Sequence, residues 1–446
     1  MARIDDDEEV VVIDRREFRR KRRIRNQIIA YASLVVILLA IAGGGFFGIS
    51  KLVSNMQDKK HAAELAAQLE ELSTQEQEPV AVEAPTSSEE PVEEESLLDT
   101  IVNSCIAEMP LEDKVAGLFM ITPEALTGTD TVIKAGDTTQ EKLSQTAVGG
   151  LIYFSKNIKS KEQLTEMLTN TKAMSKYPVF LAVDEEGGTV ARVANSSIEV
   201  TTFEDMGTIG AGADPAKAAE VGTTIGTYLS ELGFNVDFAP VADVLTNADN
   251  TMIGARSFGT DSGIVSSMVS SEVSAMESAG VSACLKHFPG LGDTTEDTHD
   301  GMATTERTLD DMRGSEFLSF QAGIDAGVDF VMVSHVSAPN VLGDNMPCSL
   351  SNQMITDVLR GELGYDGIVI TDALDMAAVT DYYTSDQAAI MALQAGADML
   401  LMPEDFQTAY DGVLAAVNDG TLTEDRIDES LRRIYRIKYA DRAESE

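Results

Sequence analysis

Eight short apolar or β-branched runs, spaced along the chain after Leu97 and separated by stretches of helical periodicity, constrain the fold more than any other feature of this sequence. They are GLFMI (117–121), GGLIYFS (149–155), PVFLAVDEE (178–186), NVDFAPVAD (235–243), SACLKHF (282–288), DFVMVSH (329–335), GIVITDA (367–373) and DMLLMPE (398–404). Their apolar residues run on without the alternation of a strand that has one wet face, which suits strands buried on both faces of a parallel sheet. Between them, segments such as KEQLTEMLTNTKAMS and EFLSFQAGIDAG space their apolar residues as helices do. Strand and helix alternating in this way predict an α/β fold, a (β/α)8 barrel of the TIM type with enlarged loops. A doubly wound open sheet is the competing arrangement.

The polar residues favour the barrel. Nearly every run ends in an ionisable group: Asp184 and Glu186, Asp237 and Asp243, Lys286 and His287, His335, Asp372, and Glu404. Barrel enzymes assemble their sites at the C-terminal ends of the strands, so chemistry is expected to collect there. Any one of these residues is equally well a wet strand end; several together are harder to dismiss.

In ITDALDMAAV, Asp372 directly follows Ile368, Val369, Ile370 and Thr371. A carboxylate at a strand mouth can attack an anomeric carbon and form a glycosyl ester, although Asp after a strand is also a common helix cap. Asp375, three residues on, is expected in the following helix. A retaining glycosidase also needs a proton donor for the leaving oxygen, usually a second carboxylic acid. The segment KHFPGLGDTTEDTH (286–299) offers a histidine instead, and two of the chain's four histidines lie in it. His299 is the candidate acid/base, with Asp297 placed to orient its ring as a carboxylate does in a triad. Pro289, Gly290 and Gly292 shape a loop able to bring His299 over the site when substrate is bound. The alternative is a metal site of His287, Asp293, Asp297 and His299, but no familiar ligand spacing is present.

Taken with IGARSFG (253–259), DEEGGTVAR (184–192), NVDFAPVADV (235–244) and GGLIYFSKNI (149–158), these motifs resemble family 3 glycoside hydrolases, in particular the single-barrel bacterial β-N-acetylglucosaminidases that act on muropeptide sugars. The resemblance covers the region from about Leu97 to the C-terminus. It implies Asp372 as nucleophile, His299 as acid/base and Asp297 as its partner, with no metal and no cofactor. It further implies that Asp184, Arg192, Arg256, Lys286 and His287 bind the non-reducing sugar, a GlcNAc-containing glycan, through its hydroxyls. That donor and acceptor set suits the task, but Arg256 and Lys286 have a structural alternative in pairing with acids such as Asp243. Larger members carry a second domain that supplies a Glu acid/base. Only about 40 residues follow the eighth run here, enough for a helix around Glu424 to Tyr439, so the donor is expected from the barrel. Three positions depart from the family pattern: Leu291 replaces a usual His, Glu185 a Gln and Thr189 an Arg. The implied reaction is hydrolysis of terminal β-GlcNAc from cell-wall glycan fragments. Transfer of the sugar to phosphate, or an inactive barrel that only binds, are the alternatives.

The N-terminal region reads separately. RREFRRKRRIR (15–25) stands before IIAYASLVVILLAIAGGGFFGI (28–49), a run with no charge. It is long enough to cross a bilayer and exceeds the roughly 7 to 15 apolar residues of a cleaved signal peptide, the alternative. Residues 1–27 are then a basic cytoplasmic tail and 28–49 a single membrane-spanning helix. Residues 50–96 form a stalk, partly helical and then rich in Glu, Ser and Pro, that holds the barrel of 97–446 outside the cell membrane. A net charge of −41 excludes nucleic acid as a partner, since that surface requires clustered Lys and Arg. Of three cysteines, Cys105, Cys284 and Cys348, at least one must stay unpaired, and Cys284 is expected in the core.

Overall fold

The computed structural model describes residues 96–299 and 301–440. The expected tail, membrane span and stalk lie, Ser96 apart, outside the described residues. Among those described, no helix is long and apolar enough to cross a membrane.

All eight runs contribute a strand to one sheet: β1 (Phe119–Ile121), β2 (Gly150–Ile152), β3 (Phe180–Val183), β6 (Val236–Asp237), β7 (Ser282–Phe288), β8 (Phe330–Val333), β9 (Ile368–Thr371) and β10 (Leu400–Leu401). Every pairing is parallel, in the order β10-β1-β2-β3-β6-β7-β8-β9. The sheet curls into a nearly closed barrel, and a parallel bridge from Ile370 to Met399 spans the remaining gap between β9 and β10. A doubly wound open sheet would leave that gap open. Every residue of these strands is buried, as expected where helices cover the outside and side chains fill the inside. The run NVDFAPVAD pairs as a regular ladder over only two residues; Pro240 has no N–H to donate to it.

The run PVFLAVDEE does not continue as one strand. It breaks at Asp184, and residues Glu185–Gly187 (β4) fold back on Val190–Ala191 (β5) as a separate antiparallel ribbon. Gly187 and Gly188 make the turn with φ of 87° and 58°, the region that favours glycine. The ribbon carries Glu186 back over the mouth of the barrel.

Helices occupy the intervening segments, including Lys161–Met174 and Glu316–Asp325. The Ser160 hydroxyl caps the first by accepting from Gln163 N at 3.2 Å, satisfying one of the free donors of its first turn. The last helix, Glu424–Lys438, is fixed to the start of the eighth run by Asp398. That fully buried carboxylate accepts from Ser430 at 2.8 Å, Arg433 at 3.2 Å and Arg360 at 2.5 Å. All three cysteines are free, with Cys284 and Cys348 buried.

Candidate active site

At the C-terminal rim a cavity of about 430 Å³ is lined by Asp184, Arg192, Arg256, Lys286, His287, His299 and Asp372, among others. Asp297, the remaining residue singled out in the sequence, bonds to His299. Strand ends far apart in sequence thus meet around one space.

One wall is a lattice of buried charges. Lys286, at the end of β7, places its Nζ 2.8 Å from Asp184 Oδ1 and 2.6 Å from Glu186 Oε1. Arg256 grips Glu186 with two bonds, Nε to Oε2 at 2.9 Å and Nη2 to Oε1 at 2.7 Å. Arg192 is held more loosely, 3.5 Å from Asp184 Oδ2. Burial alone would raise the Glu186 carboxyl, but Lys286 and Arg256 outweigh it and hold the pKa down at about 2. Asp184 is lowered in the same way: burial opposes ionisation, and Lys286 with Arg192 overcomes it. Burial acts against the charge on Lys286 too, and the two carboxylates more than restore it. The wall is therefore ionised throughout, presenting donors and one carboxylate edge as sugar hydroxyls require.

Arg256 and Lys286 thus do pair with neighbouring acids, but these are Glu186 and Asp184 and not Asp243. Asp243 is fully buried and serves the other half of the motif. It accepts from His287 Nδ1 at 2.7 Å, His287 N at 3.2 Å and Leu291 N at 2.6 Å. Glu186 and Asp243 are thus the residues that sequence reasoning noted only as strand-end groups or neighbours and did not assign to the site. Three consecutive acids in DEEGG offered a signal for Glu186, and the place of Asp243 at the close of its run was the signal for it.

Asp372 stands at the end of β9, with its N–H donating to Val333 O at 2.9 Å and its Oδ1 accepting from Ala373 N at 2.8 Å. Its Oδ2 takes no hydrogen bond from the described residues, so one oxygen is left for chemistry. His335 braces the same turn. Its Nε2 lies 2.9 Å from Ala373 O and its Nδ1 2.7 Å from Ser349 Oγ, and burial pushes its pKa down. The neutral ring that donates to Ala373 and accepts from Ser349 satisfies both bonds. Asp375, expected in the helix that follows, instead precedes that helix and lines the rim of the cavity.

The loop after β7 has two characters. Its first half is packed: a Cβ on Gly292 would lie 1.8 Å from Val244 O, and one on Gly290, whose φ is 130°, 2.6 Å from the Glu316 side chain. Leu291 is 1% exposed, and its carbonyl accepts from Asn250 Nδ2 at 2.6 Å. The glycines that suggested a movable loop are here needed for close approach. In the second half Thr294 and Thr298 stay buried, while His299 is exposed. His299 Nδ1 and backbone N lie 2.7 and 2.9 Å from Asp297 Oδ1. These bonds outweigh the effect of burial and lower the Asp297 pKa. With Nδ1 so engaged, His299 Nε2 has no partner among the described residues and is free to meet a substrate oxygen.

The four groups weighed as metal ligands do not converge. His287 is committed to Asp243, His299 to Asp297, and Asp293 Oδ2 accepts from Thr305 at 2.9 Å. Of the departures from the family pattern, Glu185 is buried and accepts from Val193 N, Ala194 N and Tyr228 Oη, each at 2.7 Å. It supports the ribbon from behind and does not line the cavity.

Residues 110–437 match the glycosyl hydrolase family 3 N-terminal domain. The chain is 34% identical to β-hexosaminidase A of Pseudoalteromonas piscicida over 67% of its own length and 54% of that protein, spanning about half of it. It is 35% identical to a β-hexosaminidase of Stenotrophomonas maltophilia (strain R551-3), over 59% of this chain and 79% of that one. Among solved structures, a glycoside hydrolase family 3 β-N-acetylglucosaminidase from Paenibacillus sp. str. FPU-7 is similar with a TM-score of 0.70 and 35% identity, over 76% of this chain and 64% of that one.

Proposed function

Because the chain belongs to glycoside hydrolase family 3, we propose that it is an exo-β-N-acetylglucosaminidase that removes terminal GlcNAc from cell-wall glycan fragments with retention of configuration. The observation that carries the mechanism is that the free oxygen of Asp372, the free Nε2 of His299 and the ionised sugar wall border the same cavity. In the first step Asp372 attacks the anomeric carbon while the protonated His299 donates to the leaving oxygen. In the second, neutral His299 takes a proton from water, which attacks the same carbon and releases Asp372. Asp297 keeps the ring turned with Nε2 outward in both steps. Lys286, His287, Arg256, Arg192 and Asp184 grip the hydroxyls of the glycone; Glu186 holds Lys286 and Arg256 in place, and Asp243 holds His287. The relatives named β-hexosaminidase and β-N-acetylglucosaminidase support the N-acetyl sugar. The uncharged run 28–49 behind a basic flank supports an anchored enzyme facing outward, where cell-wall glycan is the nearest substrate.

The test is turnover of nitrophenyl β-GlcNAc and β-glucose by the full chain, with and without phosphate. GlcNAc cleavage that phosphate does not stimulate is expected. Equal turnover of glucose contradicts the N-acetyl assignment; GlcNAc-1-phosphate as product makes the enzyme a phosphorylase; no turnover leaves a binding barrel. Asp372→Asn is expected to lower kcat by about 10,000-fold or more.

A further inference from the structure

An open annex of about 380 Å³ adjoins the catalytic cavity, sharing Phe154, Arg192 and Met402 with it and adding Thr122, Ser155 and Lys156. The proposed mechanism leaves this space unused. Neither Asp372 nor His299 borders it, so it does not lie where the glycosidic bond is cut. The leaving group departs from beside those two residues; the annex opens past Arg192, at the edge of the wall that grips the glycone.

Its charge is unusual for a chain of net charge −41. Among the described residues, the lining of the annex itself holds two cations, Arg192 and Lys156, and no carboxylate. Arg192 is the most loosely paired of the three cations in the sugar wall, at 3.5 Å. Its Nε is buried with no hydrogen-bond partner among the described residues. The guanidinium lies 5.8 Å from the centre of the Phe154 ring, within reach of a cation–π contact, and both residues line the two spaces. Lys156, from the turn after β2, adds a second cation whose side chain is 46% exposed; Glu124, its ion-pair partner among the described residues, is 3.4 Å away. Glu124 turns its Oε2 to Lys156, while its Oε1 accepts from Asn157 Nδ2 at 2.7 Å and Val132 N at 2.8 Å.

We propose that the annex is a subsite for an acidic substituent, a sulfate or phosphate ester, carried on the primary hydroxyl of the terminal sugar. Two partly exposed cations, with no carboxylate beside them in the lining, suit an anion bonded by Arg and paired by Lys. The primary hydroxyl carries a substituent furthest from the ring, and so reaches past Arg192 while the ring stays on the wall. The terminal residue accepted is then not only bare GlcNAc. This inference rests on the glycosidase reading and extends it.

The test compares kcat/KM of the full chain for nitrophenyl β-GlcNAc and for its 6-O-sulfo and 6-O-phospho forms. The parent is expected to turn over the esters at least as well as the neutral sugar, by a margin that shrinks as salt rises. Lys156→Gln should lower the ester value about fivefold and leave the neutral value within about twofold, with Lys156→Arg restoring it. The faster ester identifies the substituent. A parent that cleaves the neutral sugar but turns over both esters less than about a tenth as well overturns the annex and leaves the glycosidase standing. Equal losses on neutral and acidic sugars in Lys156→Gln also overturn it. A parent inactive on all three overturns the glycosidase reading and the annex with it.

Discussion

Lys286 and His287, at one end of KHFPGLGDTTEDTH, leave 3% and 9% of their side chains exposed, whereas Asp297 and His299 at the other end leave 41% and 64%. The first pair ends the seven-residue strand β7, and each member is locked to carboxylates delivered by other strand ends. The second pair is held by bonds between its own two residues. Holding a sugar requires fixed donors whose charges are settled before substrate arrives. Moving a proton requires a group that gains and loses charge each cycle, and an exposed histidine does so without leaving an ion stranded in the interior. In the mechanism we propose, the packed stretch around Leu291 and Gly292 separates the two tasks.

The comparison breaks first, if at all, on the buried side. Lys286→Met leaves Asp184 and Glu186 without their shared cation and is expected to cost about 3 to 5 kcal/mol of stability as well as turnover. Denaturant unfolding and activity of the variant check both together. A stable, active Lys286→Met protein would show that the wall is not an integrated unit.

Glu186→Gln sharpens the same point through pH. The Glu186 pKa falls from 4.5 to about 2 on folding. A depressed carboxyl contributes stability that is present above its unfolded pKa and lost as pH falls through the folded one. The parent should therefore exceed Glu186→Gln by about 3 kcal/mol at neutral pH, with the difference closing between about pH 4.5 and 2. Melting temperatures of both proteins across that window measure it; a constant difference contradicts the assigned charge.

On the exposed side the effect is chemical and not structural. His299→Ala should change stability by no more than about 0.5 kcal/mol. It should slow cleavage of natural sugar linkages about 100-fold, and that of a dinitrophenyl leaving group, which needs no proton, far less. An equal loss on both would make His299 a positioning residue. A marked drop in melting temperature would place it in the packed half of the loop.

Much of this was legible before any coordinates. The eight strands followed from runs without alternation, and the rim followed from the polar residue closing each run, because burial and strand direction are local properties of a parallel barrel. What was not legible was partnership. That Glu186 and not Asp243 meets Lys286 and Arg256 depends on the fold-back at Gly187 and Gly188, which lifts one carboxylate over the mouth. Asp243 meets His287 instead. His335 was visible as a strand-end histidine, but its bracing of Ala373 was not, since it links the ends of two neighbouring strands. Gly290 and Gly292 carried an ambiguous message: glycine marks both freedom and close approach, and only the Cβ contacts at Glu316 and Val244 decide for the latter.

The central claim, that Asp372 attacks while His299 handles the protons, is tested most directly by mass spectrometry of His299→Ala mixed with dinitrophenyl β-GlcNAc. The first step then proceeds without an acid and the second lacks its base, so the protein should accumulate one N-acetylglucosaminyl group, mapped to the peptide containing Asp372. Turnover with no adduct, or an adduct on any other residue, would contradict the account.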